Sequence, residues 1–70
     1  MSQIIKESLD KNKGKLVTIF LVNGYRFYGK ILNYDEVYVE ILDYHTKPNK
    51  IKIIRVDTIS QIDEEESNDI

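Results

Sequence analysis

The alternation of hydrophobic and polar positions along the chain predicts one short helix followed by five short strands. Ile5 and Leu9 recur at helical spacing, and Gly14 suits the end of a helix. From residue 16 to residue 22, apolar side chains fall on both faces of a strand, so both faces should be covered. The pattern predicts a helix over residues 2–12, with Ser2 as its N-cap, and strands over residues 16–22, 25–32, 37–42, 50–55 and 59–62.

Glycines and one aspartate mark the predicted turns and bends. Asn23-Gly24 tolerates the positive φ of a tight hairpin. Gly29, inside the second strand, predicts a strong bend or the close approach of another backbone. Asp35 lies in the next turn, where its side chain can accept hydrogen bonds from the local backbone. Short, bent antiparallel strands are typical of a small closed barrel.

Composition limits how such a chain becomes stable. Its 70 residues allow one small domain, which buries only about 60% of the surface of its unfolded chain. The sequence contains no cysteine, so disulfides and thiolate zinc sites are excluded. Association with other copies is the remaining common way to stabilise so small a core. No apolar run approaches the roughly 20 residues that span a bilayer, and no secretory leader is recognised, so a cytoplasmic protein is expected.

Charge is distributed unevenly along the chain. The formal net charge is -2, but residues 63–70 contain five of the 12 acidic side chains. The remaining residues have 10 basic and seven acidic side chains and are therefore weakly basic. We predict a domain over residues 1–62 and an acidic, disordered tail over residues 63–70. The positive surplus is compatible with nucleic-acid binding but is far below that of a dedicated DNA-binding domain.

The stretch from residue 17 to residue 43 contains the most specific motif of the chain. An apolar strand is followed by Leu-x-x-Gly, a second glycine and an aromatic-Asp turn into a third strand. This arrangement resembles the first motif of the Hfq and Sm-like RNA-binding family, and the resemblance extends over residues 3–62. The matching positions are Leu21, Gly24, Phe27, Gly29, Ile31, Tyr34 and Asp35.

The resemblance implies a mostly β fold, namely a strongly bent, five-stranded antiparallel SH3-like barrel with a short N-terminal α-helix. In this family the fourth strand of one subunit pairs with the fifth strand of the next, so a homo-oligomeric ring removes the exposed strand edges. The loop length and the Hfq-like first motif favour a ring of six over a ring of seven. Lys50, Lys52 and Arg55 also suit an unpaired edge, because charge protects such edges from aggregation.

The second motif of the family is matched only in part, by residues 54–60. Arg55 matches the arginine of Sm proteins, whereas Asp57 takes the place of the Hfq histidine. Val37 aligns with the ring on which the family stacks uridine, and valine has no π-face. Tyr38 could stack there only if the strand register slipped by one residue. Arg55 is therefore the best candidate for an RNA contact beside the pore, and a salt bridge to a nearby aspartate is the alternative.

The opposite ring face is a second candidate surface. Hfq proteins receive purine-rich RNA there, on an aromatic residue of the first strand and on a patch around the first hairpin. Aromatic rings beside basic groups suit single-stranded RNA, which is bound through stacking and phosphate contacts. The alternative is that the rings simply pack in the barrel. The candidate RNA-binding residues of this face are Phe20, Tyr25, Arg26, Tyr28 and Lys30. On the helix, Gln3 aligns with a glutamine that touches RNA in Hfq and is a further candidate.

The resemblance implies a ring that binds single-stranded RNA, as an Hfq-like RNA chaperone or post-transcriptional regulator. One alternative is a ring with a degenerate uridine pocket that serves as a protein-interaction or assembly scaffold, and another is a lone barrel that adds a strand to a partner's sheet. An enzyme is not expected, because His45 lies in a loop and Asp35 fits a turn rather than a catalytic pair with Asp43. No cofactor and no metal are expected. The acidic tail is expected to compete with RNA for the basic surface.

Overall fold

The computed structural model describes residues 3–65, which form one helix and five strands. The strands make one antiparallel sheet, and a 3-10 turn, Val56–Thr58, separates the last two of them. The predicted fold class, mostly β with a short N-terminal helix, is confirmed. The elements are α1 (Gln3–Asn12), β1 (Leu16–Leu21), β2 (Arg26–Tyr34), β3 (Tyr38–Asp43), β4 (Lys50–Arg55) and β5 (Ile59–Glu64).

Two strands are longer than the sequence predicted. β2 continues to Tyr34, which still pairs with Val39 of β3 beyond a bulge. β5 continues to Glu64, because β1 also pairs with Asp63 and Glu64. β5 therefore includes Asp63 and Glu64, two residues that the sequence assigned to the tail. The backbone groups of β1 can form hydrogen bonds with β5 whatever the charge of the β5 side chains. These hydrogen bonds outweigh the tendency of an acidic segment to be disordered.

The remaining boundaries lie within one residue of their predicted positions. β1 ends at Leu21, β2 begins at Arg26 and β3 runs from Tyr38 to Asp43, while β4 has its predicted bounds. The predicted N-cap, Ser2, and the tail from residue 66 onwards lie outside the described residues.

The strands are arranged in the order β4-β3-β2-β1-β5. Consecutive strands from β1 to β4 pair as antiparallel neighbours, and the chain then returns so that β5 pairs with the free side of β1. Within residues 3–65, β4 and β5 are therefore the two edges of the sheet. This places an unpaired strand edge on each side of the single chain.

One side of the bent sheet encloses the core, and α1 packs over it against β2 and β5. Full burial of one aliphatic side chain contributes about 1.5–3 kcal/mol to stability. The fully buried side chains are Leu9, Val17, Ile19, Ile31, Val39 and Ile41.

Within residues 3–65, no helix has the length and apolar character needed to cross a lipid bilayer.

The first hairpin has three loop residues between β1 and the residue that closes it. Gly24 has φ +95° and its N–H donates to the Leu21 carbonyl over 3.0 Å, while the Leu21 N–H donates to the Tyr25 carbonyl over 2.8 Å. The positive φ predicted for the Asn-Gly pair is thus found at the glycine alone, because the loop is a turn followed by a glycine bulge. The Asn23 side chain accepts a hydrogen bond from the Tyr25 N–H over 3.0 Å and stabilises the loop.

Gly29 allows β3 to approach β2 closely. A Cβ atom at this position would overlap the carbonyl oxygen of Leu42 and would lie only 2.9 Å from its carbonyl carbon. The predicted close backbone approach is therefore confirmed. A bulge between Ile31 and Asn33 adds to the bend of the same strand pair.

Candidate nucleic-acid interface

The side of β1 and β2 that faces away from the core presents rows of paired side chains. Val17 and Ile19 are fully buried in the core, so the residues between them project from the other side of the strand. Side chains directly opposite each other on antiparallel strands lie about 5 Å apart at Cβ. We call this side the outer sheet surface, and its cross-strand pairs are Phe20 with Arg26, Thr18 with Tyr28 and Leu16 with Lys30.

Four of the residues predicted to bind RNA therefore share one surface. Phe20 and Tyr28 are half-buried, so part of each ring is accessible, and Arg26 and Lys30 lie on β2 on either side of Tyr28. Tyr25 is 68% exposed at the hairpin tip, next to Arg26. Rings that alternate with cations in this way can stack bases and contact the phosphates between them.

The two phenylalanines have different surroundings. Phe27 is partly buried and packs against the core, with the Lys52 Nζ atom 5.8 Å from the centre of its ring. Phe20 lies on the outer sheet surface instead, opposite Arg26. The alternative that an aromatic ring merely packs in the barrel thus applies to Phe27, and Phe20 remains available for a ligand.

A second site lies where β3 begins and β4 ends. Glu36, Val37, Arg55 and Asp57 line a cleft of about 190 Å³, which we call the β3–β4 cleft. The cleft thus contains Val37, Arg55 and Asp57, three positions that the resemblance assigned to the pore side. Val37 is 46% exposed and accessible, but its side chain offers no ring for stacking. The carboxylates of Glu36 and Asp57 oppose the approach of phosphate.

Asp57 holds the guanidinium of Arg55 in a bidentate pair. Arg55 Nε donates to Oδ1 of Asp57 over 3.1 Å, and Nη2 donates to Oδ2 over 2.8 Å. These side-chain hydrogen bonds raise the pKa of Arg55 and lower the pKa of Asp57. The predicted alternative, a salt bridge at Arg55, is present in the structure. Both side chains are more than half exposed, so the pair adds little to stability, and a phosphate would compete with Asp57 for Arg55.

The start of β3 keeps the register that its hydrophobic pattern requires. Val39 is fully buried in the core, while Tyr38 is 46% exposed and lies opposite Arg55. Tyr38 borders a separate groove of about 450 Å³, whose wall includes the carboxylates of Asp35 and Glu40. The one-residue slip that would place Tyr38 in the position of Val37 does not occur.

Asp35 stabilises the turn that precedes β3. Its Oδ1 accepts hydrogen bonds from the N–H groups of Tyr38 and Val37, each over 2.8 Å, and these bonds lower the pKa of Asp35. The predicted local role of this side chain is therefore confirmed. Asp43 lies at the far end of β3, so the two carboxylates do not form a pair. Within residues 3–65, no group of three or more His, Cys, Asp or Glu side chains is arranged to hold a metal ion.

The helix presents a polar surface on its solvent side. Gln3 Nε2 donates to Glu7 Oε2 over 3.2 Å, so this candidate amide is engaged by its own helix. Lys15 Nζ lies 3.8 Å from Glu64 Oε2 of β5. An RNA contact by Gln3 stays a prediction, supported by the exposed lysines nearby, which are Lys6, Lys11 and Lys13.

An aromatic cluster that the sequence did not reveal lies at the end of β3. The ring of Tyr28 is 6.1 Å from that of Tyr44, at an angle of 74°, and 5.8 Å from that of His45, at an angle of 35°. The Tyr44 N–H also donates to the Tyr28 carbonyl over 2.9 Å. We call these three residues the loop aromatic cluster. The only signal in the sequence was the Tyr-His pair after a predicted strand, and its proximity to Tyr28 depends on the β2–β3 register.

A short helix packed on a strongly bent sheet of five antiparallel strands defines a small barrel of the Sm-like class. The fold is similar to a 1.55 Å crystal structure of Hfq, described as a pleiotropic translational regulator, with a TM-score of 0.73 and 28% sequence identity over 90% of this chain and 92% of that chain. No protein-family model and no curated protein matches the sequence. The chain therefore has the Hfq/Sm-like fold, as its first motif indicated.

Proposed function

We propose that this protein forms a homo-oligomeric ring, six-membered rather than seven-membered, that binds single-stranded RNA in the cytoplasm. It acts there as an RNA chaperone or post-transcriptional regulator and catalyses no reaction itself. The observation that supports this function most directly is the outer sheet surface, where the rings of Phe20 and Tyr28 lie among the cations of Arg26 and Lys30. The similarity of the fold to Hfq, a translational regulator, supports the same class of function.

The outer sheet surface binds RNA through two kinds of contact. A base stacked on Phe20 or Tyr28 contributes about 1–3 kcal/mol and is accepted largely irrespective of sequence. Arg26 and Lys30 contact phosphates, which makes the affinity fall as the salt concentration rises. In a ring, each copy repeats these contacts, so a long RNA gains affinity from several subunits at once. Two RNAs held on one ring are brought close to each other without a chemical step.

The strand edges of the single chain support ring formation. β4 is an edge strand, and its Ile51 and Ile53 are 57% and 66% exposed, respectively. Such an edge is prone to aggregation unless another strand covers it. Pairing of β4 with β5 of the next copy satisfies both edges and reduces the apolar surface exposed to water.

Binding of oligo-A and oligo-U RNA to the nucleic-acid-free protein tests this function. Affinities are measured at two salt concentrations, and the mass of the protein is recorded in the same buffer. We expect a multimer of the 8.3 kDa chain that binds oligo-A in preference to oligo-U, with weaker binding at the higher salt concentration. A monomer, or an intact ring that binds neither RNA, would contradict the proposal.

The variant Tyr28→Ala locates the binding surface. Loss of one stacking ring should weaken oligo-A binding about fivefold or more. The matched control is Tyr28→Phe, which keeps the ring and should bind nearly as well as the wild type. Equal binding by all three proteins would remove Tyr28 from the interface.

The β3–β4 cleft supports a second candidate, a ring that serves as an assembly scaffold. Asp57 already engages Arg55, and Val37 offers no stacking ring, so this cleft is poorly suited to uridine. An intact ring that binds neither oligo-A nor oligo-U would favour this function. Tight oligo-U binding that is lost in Arg55→Ala would instead assign RNA binding to the cleft.

A further inference from the structure

The loop between β3 and β4 extends the aromatic part of the outer sheet surface. Tyr28 belongs to that surface, and Tyr44 continues the row beyond the end of β3, with its N–H bonded to the Tyr28 carbonyl. His45 follows, with 60% of its side chain exposed and its ring tilted by 35° to that of Tyr28. Three rings thus meet where β2 passes the loop, and the imidazole is the most accessible of them.

The backbone of this loop is held in place by its own polar groups. The buried Asp43 accepts a hydrogen bond from the His45 N–H over 2.9 Å, and its Oδ2 lies 3.4 Å from Lys52 Nζ. The Thr46 hydroxyl accepts the Lys50 N–H over 3.0 Å and lies 3.3 Å from the Asp43 carbonyl that it donates to. A ligand that binds here therefore meets a loop that is already ordered, which reduces the entropic cost of binding.

The charge of the loop is suited to an anionic polymer. Residues 44–50 contain two lysines and no acidic residue. Lys47 and Lys50 are both exposed. Asp43, which precedes the loop, is buried, and its carboxylate lies 3.4 Å from Lys52 Nζ and 4.0 Å from His45 Nδ1, so its negative charge is directed inward. The combination of an exposed flat ring and nearby lysines matches a nucleotide, with the ring for the base and the ammonium groups for the phosphate.

We propose that the loop aromatic cluster is an additional base-binding site, in which a purine base of single-stranded RNA stacks on the imidazole of His45. Tyr28 supports the imidazole from the side of the barrel and is itself packed edge-on against Tyr44, and Lys47 and Lys50 attract the adjoining phosphates. This site rests on the proposed RNA-binding function and extends the outer sheet surface toward the β3–β4 loop. An RNA that has engaged Tyr28 reaches His45 without leaving that surface.

The double variant Tyr44→Ala/His45→Ala tests the site in the full-length protein. We expect its oligo-A affinity to fall about fivefold or more, because at least one stacked base is lost. Asn49→Ala, an exposed substitution in the same loop, is the matched control and should bind as the wild type does. Tyr44→Phe with His45→Phe keeps two flat rings and should restore most of the affinity.

A direct readout comes from the His45 ring itself. During titration of the wild-type protein with oligo-A, the NMR resonances of the His45 ring protons should shift to lower frequency, because a stacked base shields them. This measurement decides the question even if the double variant does not fold. Unshifted His45 resonances while oligo-A binds, or undiminished binding by the folded double variant, would overturn the site and leave the proposed function intact. Absence of any RNA binding by the wild-type ring would overturn both.

Discussion

At Gly29, a single side-chain carbon decides whether β2 and β3 can pair. A Cβ atom there would overlap the Leu42 carbonyl oxygen, which is backbone and cannot rotate away as a side chain would. We expect Gly29→Ala to lower the free energy of unfolding by about 3 kcal/mol or more, at the upper end of overpacking effects. Urea unfolding at a fixed protein concentration measures this, since association also affects stability.

Gly14→Ala is the control for that experiment. Gly14 has φ +81°, but the space around its Cβ position is open. Alanine should therefore cost only about 1–2 kcal/mol, for the left-handed backbone alone. Equal losses at the two glycines would show that the approach of Leu42 is not what requires Gly29.

Val37 is the residue at which the β3–β4 cleft can be given a stacking surface. It is exposed at the mouth of the cleft and close to Arg55, so a larger side chain can be accommodated without entering the core. We expect Val37→Phe to increase oligo-U affinity about fivefold or more, through one new stacking contact. Val37→Leu adds apolar volume without a π-face and should leave oligo-U binding unchanged. A similar gain in both variants would attribute the effect to apolar contact rather than to stacking.

At the level of elements, β3 is fixed at both ends by aspartate side chains. Asp35 precedes the strand and accepts the Val37 and Tyr38 N–H groups, while Asp43 ends it and accepts the His45 N–H. The hydrogen bond from His45 is the main cause of the lowered pKa of Asp43, and Lys52 lowers it further. A carboxylate whose pKa is lower in the folded protein stabilises the fold at any pH above its unfolded value of about 4.

Asp43 therefore predicts a loss of stability in acid. Its contribution should be complete at neutral pH and should disappear as the pH falls below about 4 and through the folded pKa. We expect Asp43→Asn to lower the free energy of unfolding by about 1.5–3 kcal/mol at pH 7. The free energy of unfolding should also fall less steeply with decreasing pH in the variant than in the wild type, which is the flattening tested below. Urea unfolding over a series of pH values measures both effects. Asp10→Asn, at an exposed helix position, should change stability by less than about 0.5 kcal/mol, and the same flattening in this control would contradict the assignment.

Local features of these elements were predictable from the sequence because their causes lie within a few residues. The positive φ at Gly24 and the backbone hydrogen bonds of Asp35 both arise inside one turn. The extension of β5 to Glu64 was not predictable in this way, because it depends on the distant β1 strand, while the acidic composition favoured disorder. Features caused by neighbouring residues could thus be predicted from the sequence, whereas a strand pairing between residues far apart in the chain could not.

In the candidate site, too, some contacts could be predicted from the sequence and others could not. Val37, Arg55 and Asp57 could be predicted to lie near each other because the two family motifs encode their relative positions, and all three line the β3–β4 cleft. The sequence could not decide between an RNA contact and a salt bridge at Arg55, because spacing along the chain does not fix the side-chain rotamers that form the bidentate pair with Asp57. Tyr44 and His45 were missed because their contact with Tyr28 depends on strand register beyond the end of β3.

For the whole molecule, the proposed ring predicts that the β4 edge governs assembly. Ile53 is 66% exposed in the single chain, so a charge there should not disturb the core. We expect Ile53→Asp to give a folded protein with the 8.3 kDa mass of one chain, measured by light scattering together with circular dichroism. Tyr25→Asp introduces the same charge at a 68% exposed hairpin position that belongs to neither β4 nor β5, and should leave the mass of the assembly unchanged. Assembly of the Ile53→Asp protein would exclude the β4 edge as the interface.

The acidic end of the chain begins beside the proposed RNA surface. Glu65 accepts a hydrogen bond from the Thr18 hydroxyl over 2.7 Å, and its N–H donates to the Leu16 carbonyl over 3.1 Å. Thr18 lies directly opposite Tyr28 on the outer sheet surface. We therefore expect the carboxylates of Glu66 and Asp69 to compete with RNA phosphates for the cations of this surface, as the charge distribution of the sequence suggested.

Removal of residues 66–70 tests this competition without disturbing β5, which ends at Glu64. The deletion takes away two acidic side chains, Glu66 and Asp69, so oligo-A affinity should rise about two- to threefold at low salt. The gain should disappear at high salt, where interactions between exposed charges are screened. Glu66→Gln/Asp69→Asn in the full-length chain is the matched control and should reproduce the gain, since only charge is altered. Unchanged affinity and selectivity after the deletion would eliminate competition by residues 66–70 for the basic surface.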